Sequence, residues 1–373
     1  MERTERPTCP KVSKNCSNMK RTAIITPWIR LGFVALALNL IQPNHVIGAT
    51  ATQYLKKEAA WFKTPEACRI ADNILTWQAP AGDWPKNGDT VSRPYQGDPK
   101  SLQGTFDNGA TTGEIRYLAR VNQAAQKTRY QAAVLRGLDH ILAAQYPAGG
   151  WPQYSPPPSN TYHRYITFND NAMVRLLETL RQVAASPEFD FVDSSRRAAA
   201  QNAFDRGIAC ILKCQIRVHG QLTVWCAQHD EKDLSPRPAR KFELVSLSGS
   251  ESAGILHLLM SLDSPSPEVS RAIQGGVAWF ASSQINGVRQ TRRDGNKVMV
   301  ADPQAPPLWA RFYEIDTGLP LFSGRDSVPH HALAEIESER INGYAWYGSW
   351  GVSVAADYAA WSKKWLKPTP QTP

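Results

Sequence analysis

Two short clusters of Asp and Asn are the residues whose chemistry is easiest to interpret. They are TFDN at 105–108 and TFNDN at 167–171, and each precedes a segment with helical periodicity. Asp and Asn are favoured helix N-caps, but a cap requires one such residue, whereas these clusters bring two and three. Loop carboxylate and amide oxygens are the ligands that a hard cation such as Ca²⁺ prefers. The clusters therefore predict a calcium site, provided that the fold brings them together.

An internal repeat indicates such a fold. Four apolar helical segments share a final glutamine, and these are Gln78, Gln145, Gln215 and Gln284. The successive separations are 67, 70 and 69 residues, and after the first two glutamines the similarity extends into AGDWPKN (81–87) and AGGWPQY (148–154). A fixed period of this length is typical of repeated supersecondary units.

Helical periodicity fills the space between these glutamines, and alternating strand-like patterns are scarce. Apolar residues recur at helical spacing in six segments, which are 113–123, 131–144, 171–183, 198–212, 251–262 and 269–282. The sequence therefore predicts an all-α fold, a toroid of repeated helical hairpins. We expect one catalytic domain at 50–366 and a disordered Pro-rich tail at 367–373. In a ring, equivalent loops meet at one mouth, so both polar clusters would lie there.

The N-terminus has the pattern of an export signal. Lys20, Arg21 and Arg30 precede an apolar run at 31–41, and the small residues at 48–49 follow it. The run is too short to span a bilayer, so we predict a cleaved signal peptide at 1–49 and no membrane anchor. The mature chain would be secreted or periplasmic, and we expect a monomer.

The charge gives no support for a nucleic-acid partner. Residues 1–49 contribute +5 of the formal net charge of +9, which leaves +4 for the mature chain. That charge is too small to indicate nucleic-acid binding, although it is compatible with an acidic polymer held in a local basic cleft.

Four cysteines remain after cleavage: Cys68, Cys210, Cys214 and Cys226. An exported chain permits disulfides, and four cysteines allow three pairings. The last three, with His229, also suggest a zinc quartet, but their spacing is not a standard zinc-ligand pattern. Cys210 and Cys214 lie one helical turn apart in an apolar segment, which favours buried thiols.

Longer motifs resemble a known family, the pectate lyases of polysaccharide lyase family 10. The similarity extends from about residue 52 to 362, and its motifs occur in the family's order. They are TFDNGAT (105–111), GGWPQY (149–154), ITFNDNAM (166–173), VWCAQHD (224–230), SPRPARKFELVSLSGSES (235–252), WARFYEID (309–316), FSGRD (322–326) and ERINGYAWYGSW (339–350). The resemblance implies an (α/α)₃-type toroid and calcium-dependent eliminative cleavage of polygalacturonate, which leaves 4-deoxy-α-D-galact-4-enuronosyl ends.

The resemblance also implies site residues. Asp107, Asn108 and Asp170 match the family's calcium region, and Asn108 also matches a substrate contact. Arg325 matches the catalytic base. The positions that match binders of the substrate are Arg240, Arg311, Arg340, Tyr313 and Trp151; an arginine fork suits a carboxylate. Aromatic residues in such motifs are equally often core residues.

An arginine base is unusual because a guanidinium normally stays protonated. The assignment of Arg325 requires a site that penalises its charge, and it predicts a strongly alkaline optimum. The chain also departs from the family after this residue: Gly and then a Lys-Tyr pair are expected, whereas SVPHH stands at 327–331. Some substrate contact or pH tuning near Arg325 is therefore expected to differ. His163 and His229 are candidates for loop positioning or substrate contact, although a lone His is more often structural.

Two other functions compete with this interpretation. A glycoside hydrolase on the same ring would use Asp107 and Asp170 as its carboxylate pair, but it would not need four converging arginines. A lyase relative that has lost its chemistry would bind polygalacturonate without cleaving it. A serine esterase is poorly supported, because GSESAG at 249–254 has its glycines one place too far apart for a nucleophile elbow.

Overall fold

The computed structural model describes residues 50–366. These residues belong to one compact unit. The predicted signal peptide at 1–49 and the predicted tail at 367–373 lie outside the described residues. No helix in the described part of the chain is long and apolar enough to cross a membrane.

Helices form the larger part of the structure. Nine α-helices lie within 50–366: α1 Pro65–Thr76, α2 Thr112–Ala125, α3 Thr128–Ala143, α4 Ala172–Ala185, α5 Ser194–Cys214, α6 Gly249–Met260, α7 Pro267–Ser282, α8 Ser338–Gly343 and α9 Trp350–Trp365. Three of them begin at a side-chain cap, in which Thr64, Asp193 or Ser266 accepts a backbone N–H from the first turn. Helices α2 and α3 pack together, as do α4 and α5, while α6 packs against α7 and α9.

Short strands occupy the segments between the helices. They are β1 Ile166–Thr167, β2 Arg217–Val218, β3 Gln221–Leu222, β4 Gln228–His229, β5 Pro236–Arg237, β6 Leu247–Ser248, β7 Val288–Arg293, β8 Asn296–Ala301, β9 Trp309–Ala310, β10 Phe312–Tyr313, β11 Phe322–Ser323, β12 Pro329–His330 and β13 Tyr347–Gly348. One sheet has the order β1-β4-β5, and the others are the pairs β10-β6, β11-β12, β13-β9, β2-β3 and β7-β8. Every pairing is antiparallel.

The prediction of an all-α toroid is wrong, because strands and helices are mixed along the chain. Most strands have two residues, which is too short for an alternating pattern to be visible in sequence. The β7–β8 hairpin is longer, and its turn could have been predicted. Asp294 and Gly295 both have positive φ, of 50° and 80°, and an Asp-Gly pair between two strands is a strong hairpin signal.

The internal repeat appears in the structure as equivalent tryptophans. The indoles of Trp84, Trp151 and Trp225 donate hydrogen bonds to helix carbonyls of Ile74, Ile141 and Ile211, at 2.9, 2.8 and 2.7 Å. Trp309 makes the same kind of bond to the Phe280 carbonyl, at 2.9 Å. All four rings are buried, so each unit is fixed by a large apolar ring whose single polar atom is satisfied.

The repeated glutamines join neighbouring units. Gln78 donates to the Gly82 carbonyl in its own loop and to the Ala133 carbonyl in α3, at 2.8 and 2.9 Å. Gln145 makes the equivalent bonds to Gly149 and Ala203, at 2.9 and 2.8 Å. Each glutamine thereby bridges the loop that follows it and the interior of a neighbouring helix.

Candidate active site

The first polar cluster places a buried carboxylate beside a lysine. Asp107 begins a single 3₁₀ turn, and its Oδ2 accepts from Lys86 Nζ at 2.6 Å and from Gln153 Nε2 at 2.7 Å. Its Oδ1 is buried without a hydrogen-bond partner. Thr105 holds the neighbouring backbone, since its hydroxyl donates to the Gln153 carbonyl at 2.7 Å. The cluster thus presents one satisfied and one unsatisfied carboxylate oxygen.

The second cluster lies against the first, as the sequence predicts. Three non-glycine residues of the two turns have left-handed backbone: Asn108, Asp170 and Asn171, with φ of 53°, 49° and 59°. Asn and Asp are the non-glycine residues that adopt this conformation most readily, which explains their abundance beyond the needs of a cap. Arg175 of α4 donates to the Asp170 carbonyl and fixes the turn.

Asp170 belongs to a network of charged groups. Its Oδ1 accepts from Arg311 Nη2 at 3.1 Å, and its Oδ2 accepts from Asn169 at 2.8 Å. Arg311 also donates to the buried carboxylate of Glu251. Burial lowers the pKa of Arg311, but the carboxylates of Glu251 and Asp170 outweigh it and hold the pKa above its ordinary value. Arg311 is therefore a permanent cation shared by two carboxylates.

Tyr344 connects this network to a second arginine. Its ring lies 4.7 Å from the Arg311 guanidinium and 5.5 Å from that of Arg240, within the range of cation–π contacts. Its hydroxyl donates to Glu243 Oε1 at 2.6 Å, and the same carboxylate accepts from Arg240 Nε at 2.8 Å. Burial lowers the pKa of Arg240, but its pairing with Glu243 outweighs this and raises the pKa.

The remaining two predicted arginines share one carboxylate. Glu339 accepts from Arg325 Nε at 3.0 Å and from Arg340 Nε at 2.8 Å, and these bonds lower the pKa of Glu339 to about 2. The hydrogen bonds to Glu339 also raise the pKa of Arg325, whose side chain is 63% exposed. Arg340 lies over the Phe242 ring at 4.6 Å, and Arg240 lies over the same ring at 4.8 Å. Arg325 is thus at the exposed end of the arginine series.

The departure from the family motif lies in the hairpin that carries Arg325. Strands β11 and β12 pair Phe322 with His330, and 324–328 form the turn between them. Ser327 has a φ of 65°. His331 directs its ring nitrogen to the Pro320 carbonyl at 3.0 Å, so this histidine is engaged with the backbone of its own hairpin.

Two predicted substrate contacts are corrected by the structure. Trp151 and Tyr313 are both buried. Trp151 is one of the repeat tryptophans, and the Tyr313 hydroxyl donates to the Ser283 carbonyl at 2.8 Å. A ring that is covered on both faces cannot stack on a sugar, so these residues hold the core together.

The cysteines and His229 form no metal centre. Cys68, Cys210, Cys214 and Cys226 are all free thiols. The His229 ring accepts from the Cys226 backbone N–H at 3.2 Å and directs its other nitrogen to the Leu234 carbonyl at 2.8 Å, while burial lowers its pKa to about 4. Across residues 50–366, no three His, Cys, Asp or Glu side chains are grouped closely enough to hold a metal ion by themselves.

His163 belongs to an aromatic wall beside Lys86. Its ring lies 5.1 Å from Tyr154 and 4.0 Å from Tyr162, and Lys86 Nζ lies 5.8 Å from the Tyr154 ring. Burial, together with the positive charge of Lys86, lowers the pKa of His163. The wall therefore combines apolar ring surface with a cation.

Several polar residues of the site were missed at the level of sequence. They are Lys86, Gln153, Glu243, Glu251, Glu339 and Tyr344. The repeat contained a signal for the first two, because WPK at 84–86 aligns with WPQ at 151–153. The acidic residues carry no such signal, since only the fold shows which arginine each one faces.

Comparison with known proteins identifies the family of the chain. A family model described as pectic acid lyase matches residues 78–355. The chain belongs to that family. It is similar to the solved structure of a family 10 polysaccharide lyase from Cellvibrio cellulosa, with 34% identity, a TM-score of 0.72, and coverage of 84% of this chain and 95% of the other. No curated protein gives a significant match.

A second solved structure is a mutant of the family 10 polysaccharide lyase from Cellvibrio cellulosa in complex with trigalacturonic acid. It is 33% identical, with a TM-score of 0.71, and the match covers 86% of this chain and all of the other. The family predicted from sequence is therefore confirmed, and the chain is a polysaccharide lyase. In this polysaccharide lyase, four arginines and their acidic partners lie between Asp170 and Arg325, joined through the rings of Tyr344 and Phe242.

Proposed function

We propose that this polysaccharide lyase cleaves polygalacturonate by calcium-dependent β-elimination and releases products with a 4-deoxy-α-D-galact-4-enuronosyl non-reducing end. The observation that carries the proposal is the meeting of the two polar turns beside four arginines. The trigalacturonic acid bound by the Cellvibrio mutant supports the same substrate class.

The reaction explains why so many cations are needed. A base removes the C5 proton of a galacturonate, the C4–oxygen bond breaks, and the expelled oxygen takes up a proton while a C4–C5 double bond forms. The C5 proton is a poor acid because a carboxylate anion stands beside it. Cations that neutralise this carboxylate stabilise the charge that develops during proton removal. Three arginines can bind substrate carboxylates through their forks.

Asp107, Asn108 and Asp170 are the proposed calcium ligands. The buried Asp107 Oδ1 without a partner fits this role, because such an oxygen is costly unless something binds it. Ca²⁺ takes six to eight oxygens, so a site with few protein carboxylates would be completed by substrate carboxylate and water. When bound, the ion would neutralise the substrate carboxylate next to the C5 proton.

We further propose that an arginine is the base, and two candidates have to be separated. The resemblance implies Arg325, which lies at the exposed end of the series and is paired with Glu339. Arg240 is more central, because its guanidinium lies over the same Tyr344 ring as Arg311, which in turn binds Asp170. This position favours Arg240 as the base and Arg325 as a carboxylate binder. Either arginine would have to leave its acidic partner and lose its proton, which requires alkaline conditions.

Ultraviolet absorbance of the unsaturated product tests the reaction. Purified protein acts on polygalacturonate at alkaline pH, with calcium and then with a chelator. A calcium-dependent rise is expected. Release of reducing ends without absorbance would instead indicate a hydrolase that uses Asp107 and Asp170, and binding without either signal would indicate an inactive relative.

The same assay separates the two arginines. Removal of a general base lowers kcat by about 10²- to 10⁴-fold, whereas removal of a carboxylate binder acts mainly on KM. We expect Arg240→Ala to lower kcat and Arg325→Ala to raise KM. The reverse result would identify Arg325 as the base.

The cellular context is also a proposal. We propose that 50–366 is the catalytic domain, that it acts as a monomer, and that it is secreted or periplasmic. N-terminal sequencing of the exported protein would locate the cleavage site. Size-exclusion chromatography with light scattering would measure the mass, and a dimer would contradict the proposed monomer.

A further inference from the structure

Two residues at equivalent positions of the repeat converge on one carboxylate oxygen. Lys86 and Gln153 each stand two residues after a repeat tryptophan, in WPK and WPQ. Their side chains reach Asp107 Oδ2 from Nζ at 2.6 Å and from Nε2 at 2.7 Å. Gln153 is buried, whereas the Lys86 side chain is 27% exposed. Gln153 can therefore hold Asp107 from the buried side, while Lys86 remains accessible from the site.

The same position of the fourth unit is occupied by Arg311, which stands two residues after Trp309. Arg311 pairs with Asp170 in the second polar turn, as Lys86 pairs with Asp107 in the first. Each polar turn thus has one cation supplied from the same position of the repeat. The equivalent residue of the third unit is Ala227, so a cation at this position is not a requirement of the fold.

Lys86 retains capacity to bind another anion. An ammonium has three N–H donors, and the described residues place one carboxylate, that of Asp107, within hydrogen-bond distance of it. Beside it, the Tyr154 ring offers an apolar face of the kind that packs against sugar rings.

We propose that Lys86 binds a uronate carboxylate of the substrate on the Asp107 side of the site. This contact gives the enzyme a preference for unesterified galacturonate. This rests on the proposed substrate. Lys86 would then have the role for the first polar turn that an arginine has for the second. An ammonium binds a carboxylate as a point charge rather than as a fork, so it tolerates several orientations of the sugar.

The competing explanation is that Lys86 only neutralises Asp107. Isothermal titration calorimetry with trigalacturonate and with its fully methyl-esterified form separates the two. It is run at neutral pH, where an arginine base is protonated and turnover is slow. A charge-assisted contact predicts about 10- to 100-fold weaker binding of trigalacturonate by Lys86→Gln, with little change for the ester. Lys86→Arg should retain most of the affinity.

Three further measurements complete the test. Lys213→Gln, at an exposed position in the last turn of α5, is the matched control and should bind like the wild type. Thermal unfolding of each variant shows whether the fold is intact. Lys86→Gln is also compared with Lys86 in an Asp107→Asn background, where the lysine has no charge to neutralise: a purely neutralising lysine predicts no further loss of affinity, and a substrate-binding lysine predicts a further loss.

Equal loss of affinity for acid and ester, no loss at all, or no further loss in the Asp107→Asn background would each overturn the role of Lys86. Those outcomes leave binding by the wild type intact, and they leave its ultraviolet activity intact as well. Failure of the wild type to bind trigalacturonate is a different result, because it would overturn the proposed substrate and the role of Lys86 with it.

Discussion

The two polar turns contain similar residues but bind their cations differently. At Asp107 the carboxylate is almost covered, its cation is a lysine, and one oxygen has no partner. At Asp170 the carboxylate side chain is 37% exposed, whereas its cation, Arg311, is only 8% exposed and is shared with Glu251. The more buried partner is therefore the carboxylate of Asp107 in the first turn and the guanidinium of Arg311 in the second.

Because of this difference, we expect the two turns to differ in rigidity. A buried guanidinium with two carboxylates and a facing aromatic ring has little freedom, so the Asp170 side is a fixed frame. A partly exposed ammonium can exchange its partner at low cost, so the Asp107 side can respond to substrate and cation. The variants below test this division, from the largest expected effect to the smallest.

Replacing Arg311 should have the largest effect. Arg311→Ala leaves the buried Glu251 carboxylate without its counter-ion, and breaking a buried pair in this way costs about 3–5 kcal/mol of the free energy of unfolding. We expect a large fall in the melting temperature and loss of activity, measured by calorimetry and by ultraviolet absorbance. Lys86→Ala should leave the melting temperature closer to that of the wild type. Equal destabilisation by the two variants would contradict the division into a fixed and a responsive side.

Asp107→Asn should change the calcium requirement without unfolding the protein. An asparagine still accepts from Lys86, but it removes one negative charge from the proposed ligands. Since ligand charge tunes Ca²⁺ affinity, we expect the calcium concentration for half-maximal rate to rise about ten-fold or more. Asp170→Asn should also raise this calcium concentration, and it should weaken the contact between position 170 and Arg311. An unchanged calcium requirement in both variants would exclude these residues as ligands.

The helices could be predicted from sequence, and most of the strands could not. The periodic segments 113–123 and 171–183 correspond to α2 and α4, because a buried helix face leaves a pattern over several turns. A two-residue strand such as β9 leaves none, and its pairing with β13 depends on a partner nearly forty residues away. The expected all-α fold was wrong because strand pairing of this kind is tertiary information.

The candidate site could be predicted as two converging clusters but not as a network. The excess of Asp and Asn at 105–108 and 167–171 reflects the backbone conformation of the turns and was visible. The ion-pair partners were not visible, since only the fold brings Glu243 to Arg240 and Glu339 to Arg325. Trp151 shows the opposite error, in which a motif residue that looks like a sugar-stacking ring is buried in the core.

A matched pair of glutamates tests which arginine is the base. Glu243 and Glu339 raise the pKa values of Arg240 and Arg325 respectively. A Gln substitution removes the attraction that favours the protonated guanidinium, so the pKa of its arginine falls and the neutral form appears at lower pH. With Arg240 as base, Glu243→Gln should move the rising limb of the pH–rate profile down by about 1 pH unit. Glu339→Gln should leave the limb in place and act on KM. A shift with Glu339→Gln alone would assign the base to Arg325.

Tyr344 joins Arg311 to the Arg240–Glu243 pair, and its variants should have the smallest effects. Tyr344→Phe keeps the ring over Arg240 and Arg311 but removes the hydrogen bond to Glu243. The loss of one hydrogen bond to a buried carboxylate lowers the free energy of unfolding by about 1–3 kcal/mol. Tyr344→Ala removes the ring as well, so its effect on KM should exceed that of the Phe variant. In a double-mutant cycle, Tyr344→Phe should couple to Glu243→Gln and be additive with Glu251→Gln, because the hydroxyl contacts only the first of these carboxylates among the described residues. Coupling to Glu251 instead would mean that the Tyr344 hydroxyl also acts on the Arg311–Glu251 pair.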